Sequence, residues 1–446
     1  MAGNFIKDIQ YVKFSLYGFI KNLRFFDPYL ILFFIESGLD YFQIGILFSI
    51  REIAINVIEV PSGFAADLLG RRRVMMGSFL IYMLSFLVFY FTCGFGPYAA
   101  AMVLFAGGEA FRTGTHKSMI LDYLTRNGMG DRKVHYYGGT RAWSQRGSAL
   151  SALIAGVLVY YSGSYRTVFL YTLIPYVLGF FLMVSYPGYL DFSVENDEEQ
   201  GKESAGAGRG EGKKAGADGK NGKTADKRRR GRHAGASEIL KGIGALMKEP
   251  LSRRVFLHAS FSSAAFKTVK DYIQPMIRNF AVALPLFAGL SEEKRVSVAA
   301  GVVYFVLYLL TASASTRSGA VEDKFSSREK ALNVIYLVFA VVMAVVGVCV
   351  GTPVAIAGII IFIGLYLLEN IRRPMTIGFL GDIVKGKAMA TGLSIESQMK
   401  TLIVAVLAPV FGLLVDNFGL SAAMAALAIF ILILYPFLRI PKTEKA

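Results

Sequence analysis

The sequence predicts an all-α membrane protein, with twelve transmembrane helices in two pseudo-symmetric six-helix bundles. Three observations carry this reading. The 446 residues are 54% hydrophobic and only 18% charged, with a mean hydropathy of +0.48, whereas a soluble chain of this length carries more charge. Apolar runs of about 20 residues recur along the chain, the length a helix needs to cross a bilayer. The second half also repeats the first in the spacing of its charged residues and glycines.

The predicted spans lie at roughly 13–37, 41–60, 74–92, 97–121, 137–162, 165–187, 252–280, 297–316, 329–350, 353–378, 388–415 and 419–440. The N-terminal stretch MAGNFIKDIQYVKF lacks the short apolar core and small-residue cleavage site of a signal peptide, so the first span is expected to act as an uncleaved insertion signal. Alternate turns are basic. They hold Arg71, Arg72 and Arg73, then Arg126, Arg132 and Lys133, then Arg328 and Lys330, then Lys385 and Lys387. The other turns are short and poor in Lys and Arg, apart from Arg166, Lys294 and Arg295. This bias predicts a multi-pass protein of the cell membrane with both termini cytoplasmic. It also accounts for the net charge of +16 without nucleic acid. Cys93 and Cys349 are too few for a disulfide framework and read as packed thiols.

Residues 1–190 and 251–446 form the two expected bundles, and 191–250 a cytoplasmic linker between them. The linker opens with an acidic stretch, Glu195–Glu199, and continues into a run rich in Gly, Ala and charge that contains KRRRGR. Such a composition has little to bury, which predicts a largely disordered tether. Its basic cluster is a solvated loop or a contact for anionic lipid heads. A short amphipathic helix is expected at Ser237–Lys248.

The repeat is specific. Glu109-x-x-Arg112 followed by Asp122 recurs as Glu369-x-x-Arg372 followed by Asp382. Gly63, Asp67 and Arg72 recur as Gly319, Asp323 and Arg328. Gly139, Ser144 and Gln145 match Gly392, Ser397 and Gln398, and Gly156 and Gly163 match Gly412 and Gly419. The first hinge carries Gly70 and Arg71 where the second has Ser326 and Ser327.

Charges inside the predicted spans cost about 3 kcal/mol or more each in lipid, so they must face protein or water. Arg24 and Asp27 lie one turn apart in the first span. Glu52, Asn56 and Glu59 share a face of the second, with Arg51 adjacent. Glu109, Arg112 and His116 stripe the fourth, Lys267, Asp271 and Gln274 the seventh with Lys270 beside them, and Glu369 and Arg372 the tenth. Each carboxylate has two readings. Asp27, Glu52, Glu109, Asp271 or Glu369 takes up and releases a proton, gated by movement of an arginine such as Arg112 relative to Glu109. Alternatively the Glu–Arg pairs are permanent and hold helices together. His116 and His258 read as packing residues, with no partners at metal spacing. Tyr29 and Tyr272 lie near the charged stripes and could stack on an organic substrate, whereas Tyr304, Phe305 and Tyr308 read as packing or lipid-facing. Pro28, Pro275 and Pro374 fall in or near the charged stripes and predict kinks.

The hinge Gly63-x-x-x-Asp67-x-x-Gly70-Arg71-Arg72 resembles the loop between helices 2 and 3 of the major facilitator superfamily of transporters. The stretch from Phe111 to Leu124 and the run Tyr272-Ile273-Gln274-Pro275 are similar to bacterial members described as multidrug efflux pumps. The resemblance covers the whole chain outside the linker. It implies two lobes with substrate between them near the midplane, a cavity lined by spans 1, 4, 7 and 10, and a bacterial inner-membrane location. It also makes the hinge a latch. Gly63 would let helices approach. Asp67 would meet the positive end of span 11 near Lys387–Met389, and Arg71 or Arg72 would reach Asp122. Asp323 and Arg328 would act likewise, though unequally, in the second half. One departure concerns antiport: drug/proton antiporters carry a glycine-proline motif in span 5, and Gly147–Gly156 has no proline.

The expected function is secondary active transport of a small organic solute, by proton-coupled export through alternating access. Uptake of a metabolite, lipid movement, and a non-transporting scaffold or sensor are the alternatives. The expected partners are substrate, protons and the lipid bilayer, and the protein is read as a monomer without nucleic acid. Without a nucleophile–base constellation or phosphate-binding glycine loop, no enzymatic activity, cofactor or metal is expected.

Overall fold

Glycines with positive φ mark several of the breaks between the long apolar runs, among them Gly70, Gly94, Gly114 and Gly163. The computed structural model describes residues 8–129, 133–192, 248–284, 289–350, 355–383 and 389–441. The linker at 193–247, with its basic cluster, and the turn carrying Lys385 and Lys387 lie outside the described residues. Asp191 and Phe192, assigned to the linker, belong structurally to the first bundle (below).

The first span is α1 (Ile9–Ile20), a 3-10 turn (Asp27–Tyr29) and α2 (Leu30–Glu36). Pro28 sits at the start of that turn, where its missing N–H costs nothing. The second and third spans are α3 (Tyr41–Leu69) and α4 (Arg71–Phe91), and the fourth is α5 (Phe95–Arg112) plus α6 (Thr115–Arg126). The break in the fourth falls at Gly114, whose φ of 85° suits glycine. Then follow α7 (Lys133–Ser162) and α8 (Thr167–Val184).

In the second half, span 7 is α9 (Pro250–Val269), a 3-10 turn (Lys270–Tyr272) and α10 (Ile273–Ala283). Next come α11 (Glu292–Thr316), the short α12 (Ser318–Glu322), α13 (Arg328–Cys349) and α14 (Ala355–Ile383). The last two spans are one continuous element, α15 (Met389–Leu438), turned at Gly419 with φ 81°. The charge stripe of Arg24 and Asp27 is therefore not helical, because the backbone between α1 and the 3-10 turn is unwound. The seventh span is interrupted at the corresponding place. Pro374, by contrast, lies inside the unbroken α14.

By length and composition, six described helices are apolar enough to cross a membrane, among them Gly392–Leu438. The segments of spans 1, 4, 5, 7 and 10 are not among them, and four of these five are the charge-bearing helices expected around a cavity.

The two lobes touch at the end opposite the hinge. An added Cβ on Gly412 would lie 2.1 Å from the carbonyl oxygen of Tyr41, and one on Gly156 2.9 Å from that of Ser297. Only glycine permits these approaches. The matched pair Gly163 and Gly419 both have positive φ, 67° and 81°. The sequence repeat thus marks two structural jobs done twice: helix contact across the lobes, then a left-handed turn. At the same end, the Asp416 carboxylate accepts hydrogen bonds from the N–H groups of Tyr41 (3.0 Å) and Phe42 (2.8 Å). Asp40 caps the next N–H, that of Gln43, at 2.7 Å. The otherwise unsatisfied donors at the start of α3 are thereby divided between both lobes.

Candidate functional site: a charged cavity between the lobes

A cavity of about 380 Å³ lies between the lobes. Its charged lining is balanced. Arg24, Arg51, Lys267 and Lys270 face Asp27, Glu52, Glu109 and Asp271, four of each sign. Phe26, Phe105 and Phe169 from the first lobe and Tyr304, Tyr308 and Tyr366 from the second give it apolar walls.

The Glu109 carboxylate accepts hydrogen bonds from Arg24 (2.8 Å), Arg112 and the Tyr82 hydroxyl. The Arg24 guanidinium also reaches the Tyr176 hydroxyl at 3.3 Å. Both oxygens of Glu109 are thus held in a network that satisfies each member. The repeat partner is different. Arg372 bonds both oxygens of Glu369 at 2.8–3.0 Å, and donates to Ser263 at 2.6 Å and Thr376 at 3.2 Å. Arg372 is 3% and Glu369 7% exposed, and neither lines the central cavity. Glu369 and Arg372, expected among the cavity residues, form a sealed pair inside the second lobe.

Glu52 is 2% exposed and joins Lys267 across the lobe boundary at 2.6 Å, with Arg51 at 3.3 Å. Asn56 is half-buried and Glu59 exposed, so of that predicted face only Glu52 lines the cavity. Asp271 pairs with its neighbour Lys270 at 2.5 Å. Gln274 points elsewhere: its amide accepts from the Ile31 N–H (2.8 Å) and donates to the Asp27 carbonyl (2.9 Å), tying the two interrupted spans together. Asp27 is the one lining carboxylate that forms no ion pair among the described residues.

The expected substrate-stacking tyrosines do not line this cavity. Tyr29 is fully buried, stacks on Tyr165 and donates to the Ser297 carbonyl at 3.1 Å. Tyr272 stacks on Tyr41 and meets Phe411 edge-on. Both seal the closed end, whereas Tyr304 and Tyr308, read as packing residues, form the wall. His116 packs as expected, stacked 3.7 Å from the Tyr17 ring. Tyr82 and Tyr176 gave no sequence signal, since a hydroxyl buried against charge looks the same in sequence as a lipid-facing tyrosine.

The hinge is built around Asp191. Gly70, at φ 91°, lets the backbone turn between α3 and α4, and a Cβ there would crowd Asp191 at 3.1 Å. The N–H of Arg71 donates to the Asp191 carbonyl and that of Arg72 to its carboxylate, both at 2.9 Å. Arg71 forms the expected ion pair with Asp122, while Arg72 donates to the Tyr186 carbonyl. In the second lobe Arg328 pairs with Asp382 at 2.5 Å and Glu322 at 2.6 Å. Arg328 therefore plays the part of Arg71, although spacing matched it to Arg72. Asp323 is exposed at the end of α12. Asp67 is exposed on the last turn of α3, and the segment expected to meet it, 384–388, lies outside the described residues. A Cβ on Gly63 would meet nothing within 4 Å, so among the described residues Gly63 makes no close helix approach.

Comparison with known proteins agrees with this architecture. The sequence profile of the Major Facilitator Superfamily matches residues 17–368. An uncharacterized MFS-type transporter, YxaM of Bacillus subtilis (strain 168), is 20% identical over 408 residues, covering 92% of this chain and 89% of that one. Among solved structures, the nucleoside transporter NupG superposes with a TM-score of 0.70 at 12% identity, covering 97% of this chain and 98% of that one. A D-xylose-proton symporter gives 0.64 at 12%, covering 96% of each. A peptide transporter POT in complex with sulfate gives 0.63 at 13%, covering 98% and 96%.

Proposed function

Because the chain belongs to the major facilitator superfamily and is thereby a secondary transporter, we propose that it exports a small organic solute in exchange for protons, with Asp27 as the proton-carrying group. One observation carries this reading. Asp27 lines the cavity without an ion-pair partner among the described residues, whereas Glu52, Glu109 and Asp271 each have one. A carboxyl outside any ion pair can change protonation without breaking one, which the other three cannot do. The balanced lining suits a solute carrying both signs of charge, and the aromatic walls suit an apolar body.

The hinge end is assigned to the cytoplasm by the basic turns. Closure at the other end then makes this the inward-facing conformation, with the Arg71–Asp122 hinge poised as a latch for the alternative one. Proton-coupled uptake is the second reading, favoured by the absence of proline from Gly147–Gly156.

The test is reconstitution in liposomes containing an internal pH dye, with candidate solutes added under a solute gradient. Solute-driven proton movement should vanish in Asp27→Asn while solute binding persists, and the sign of the pH change gives the direction. Full coupling in Asp27→Asn would remove Asp27 from the mechanism.

A further inference from the structure

A second cavity, about 530 Å³, lies between α1 and α7 and shares no lining residue with the central cavity. Val12 and Leu16 on α1 and Trp143 on α7 line it, and each belongs to an exposed apolar stripe of its helix, with Ile9 on α1 and Leu150, Val157 and Tyr161 on α7. Stripes of this kind on a membrane helix face lipid. Arg141, which lines a different pocket beside Tyr17 and Lys21, projects from another side of α7 than Arg146, about 140° away, since each residue turns the helix by about 100°.

Arg146 lies on this lipid-facing side. It is thirteen residues from Lys133 and sixteen from Ser162, the ends of α7, and so about 20 Å from the first and about 24 Å from the second at 1.5 Å per residue. It is exposed, its guanidinium lies 5.0 Å from the centre of the Trp143 ring, and among the described residues it pairs with no carboxylate. A lipid-facing arginine at that depth needs an anion or a path to water. A second group in the groove also wants a partner: the Ser15 hydroxyl is buried, with the residue 5% exposed, and has no hydrogen-bond partner among the described residues.

We propose that this groove binds one anionic phospholipid. Its phosphate pairs with Arg146 beside Trp143, an ester or phosphate oxygen accepts from Ser15, and an acyl chain lies along Val12, Leu16 and Phe19. The charge of Arg146 selects the headgroup and the apolar rim selects the chain. This favours a lipid over a soluble anion, which would have no use for the exposed rim. The site is separate from the transport cavity and does not depend on what that cavity carries.

The test is lipid binding to the full chain purified in neutral detergent, followed by native mass spectrometry and thermal unfolding. Phosphatidylglycerol should bind and stabilise more than phosphatidylcholine of the same chains. That preference should fall about five-fold in Arg146→Gln, the effect expected of one basic contact, and more weakly in Ser15→Ala. Arg73→Gln, at an exposed arginine of the hinge turn, should leave the preference unchanged. Equal binding of both lipids, or an equal loss in Arg73→Gln, would overturn the site. Tighter binding of free phosphate or glycerol phosphate than of the lipid would overturn the lipid assignment. Solute-driven proton movement in Arg146→Gln liposomes made only of phosphatidylcholine should match the wild type in the same lipid, which separates this site from the coupling role of Asp27.

Discussion

Replacing Gly45 by alanine should push the protein out of the closed-end conformation. The added Cβ would fall 2.4 Å from the carbonyl oxygen of Ala408 and 2.7 Å from the Cα of Pro409. These are backbone atoms and cannot rotate away. Reaching an ordinary contact of 3.4 Å requires α3 and α15 to separate by about 1 Å. That separation loosens the Ser49 hydroxyl from the Ala405 carbonyl (2.9 Å) and Asp416 from the start of α3. Overpacking of this kind costs about 1–3 kcal/mol. The cost falls only on the conformation that makes the contact, so the ratio of conformations shifts by about 5- to 150-fold. A cysteine at Ser297, fully buried at the other interlobe contact, reports it. In a background with Cys93 and Cys349 changed to serine, maleimide labelling of Ser297→Cys in detergent should accelerate at least five-fold when Gly45→Ala is added. Gly63→Ala, placed in open space, should not change it. Unchanged labelling in a folded Gly45→Ala protein would refute the idea that the lobes open as rigid bodies.

Two further outcomes follow from the geometry. Asp191→Ala removes the acceptor for the Arg72 N–H and should cost about 1 kcal/mol, read as a lower unfolding temperature, with Asp191→Asn falling between; an unchanged melting profile would remove Asp191 from the hinge. Glu52→Gln and Lys267→Met should each destabilise the protein, while the double variant should be more stable than the sum predicts by about 0.5–3 kcal/mol, measured by a double-mutant cycle in denaturant.

The fold was legible because a bilayer imposes it. Helix length, the basic turns and the repeated glycines each have one physical meaning in lipid, and Gly156 with Gly412, and Gly163 with Gly419, behave as their spacing implied. The cavity was legible in part. Arg24, Asp27, Glu52, Glu109, Lys267 and Asp271 line it, because charge in a membrane span is costly against lipid and is drawn to protein or water. The partners of those charges were not legible. Spacing along a helix finds Arg112 for Glu109, but Arg24, Tyr82 and the Glu52–Lys267 bridge come from chain positions 27 to 215 residues apart. Tyr29 and Tyr272 were misplaced for a related reason. They adjoin the charged stripes in sequence, but the 3-10 turns at Asp27–Tyr29 and Lys270–Tyr272 redirect them to the closed end.

The same geometry changes which ion pair can respond to transport. Glu109 and Arg112 sit three residues apart on α5, and Arg24 belongs to the same lobe, so rocking of one lobe on the other leaves that network unaltered. Glu369 and Arg372 move together for the same reason, and so do Lys270 with Asp271 and Arg51 with Glu52. Gating by displacement of Arg112 from Glu109, expected from the sequence, therefore has no structural basis. Among the described ion pairs, only Glu52–Lys267 has its two members in different lobes. Its Coulomb energy depends on lobe rotation, and a charged solute between the lobes competes for both of its ends. The two interrupted helices have diverged to make this possible. Arg24 lies three residues before its 3-10 turn and Lys267 three before the other, yet the first turns inward to Glu109 and the second crosses to Glu52. The duplicated half that keeps its cation at home forms a fixed charged wall, and the half that lends its cation to the other lobe makes the contact sensitive to rotation.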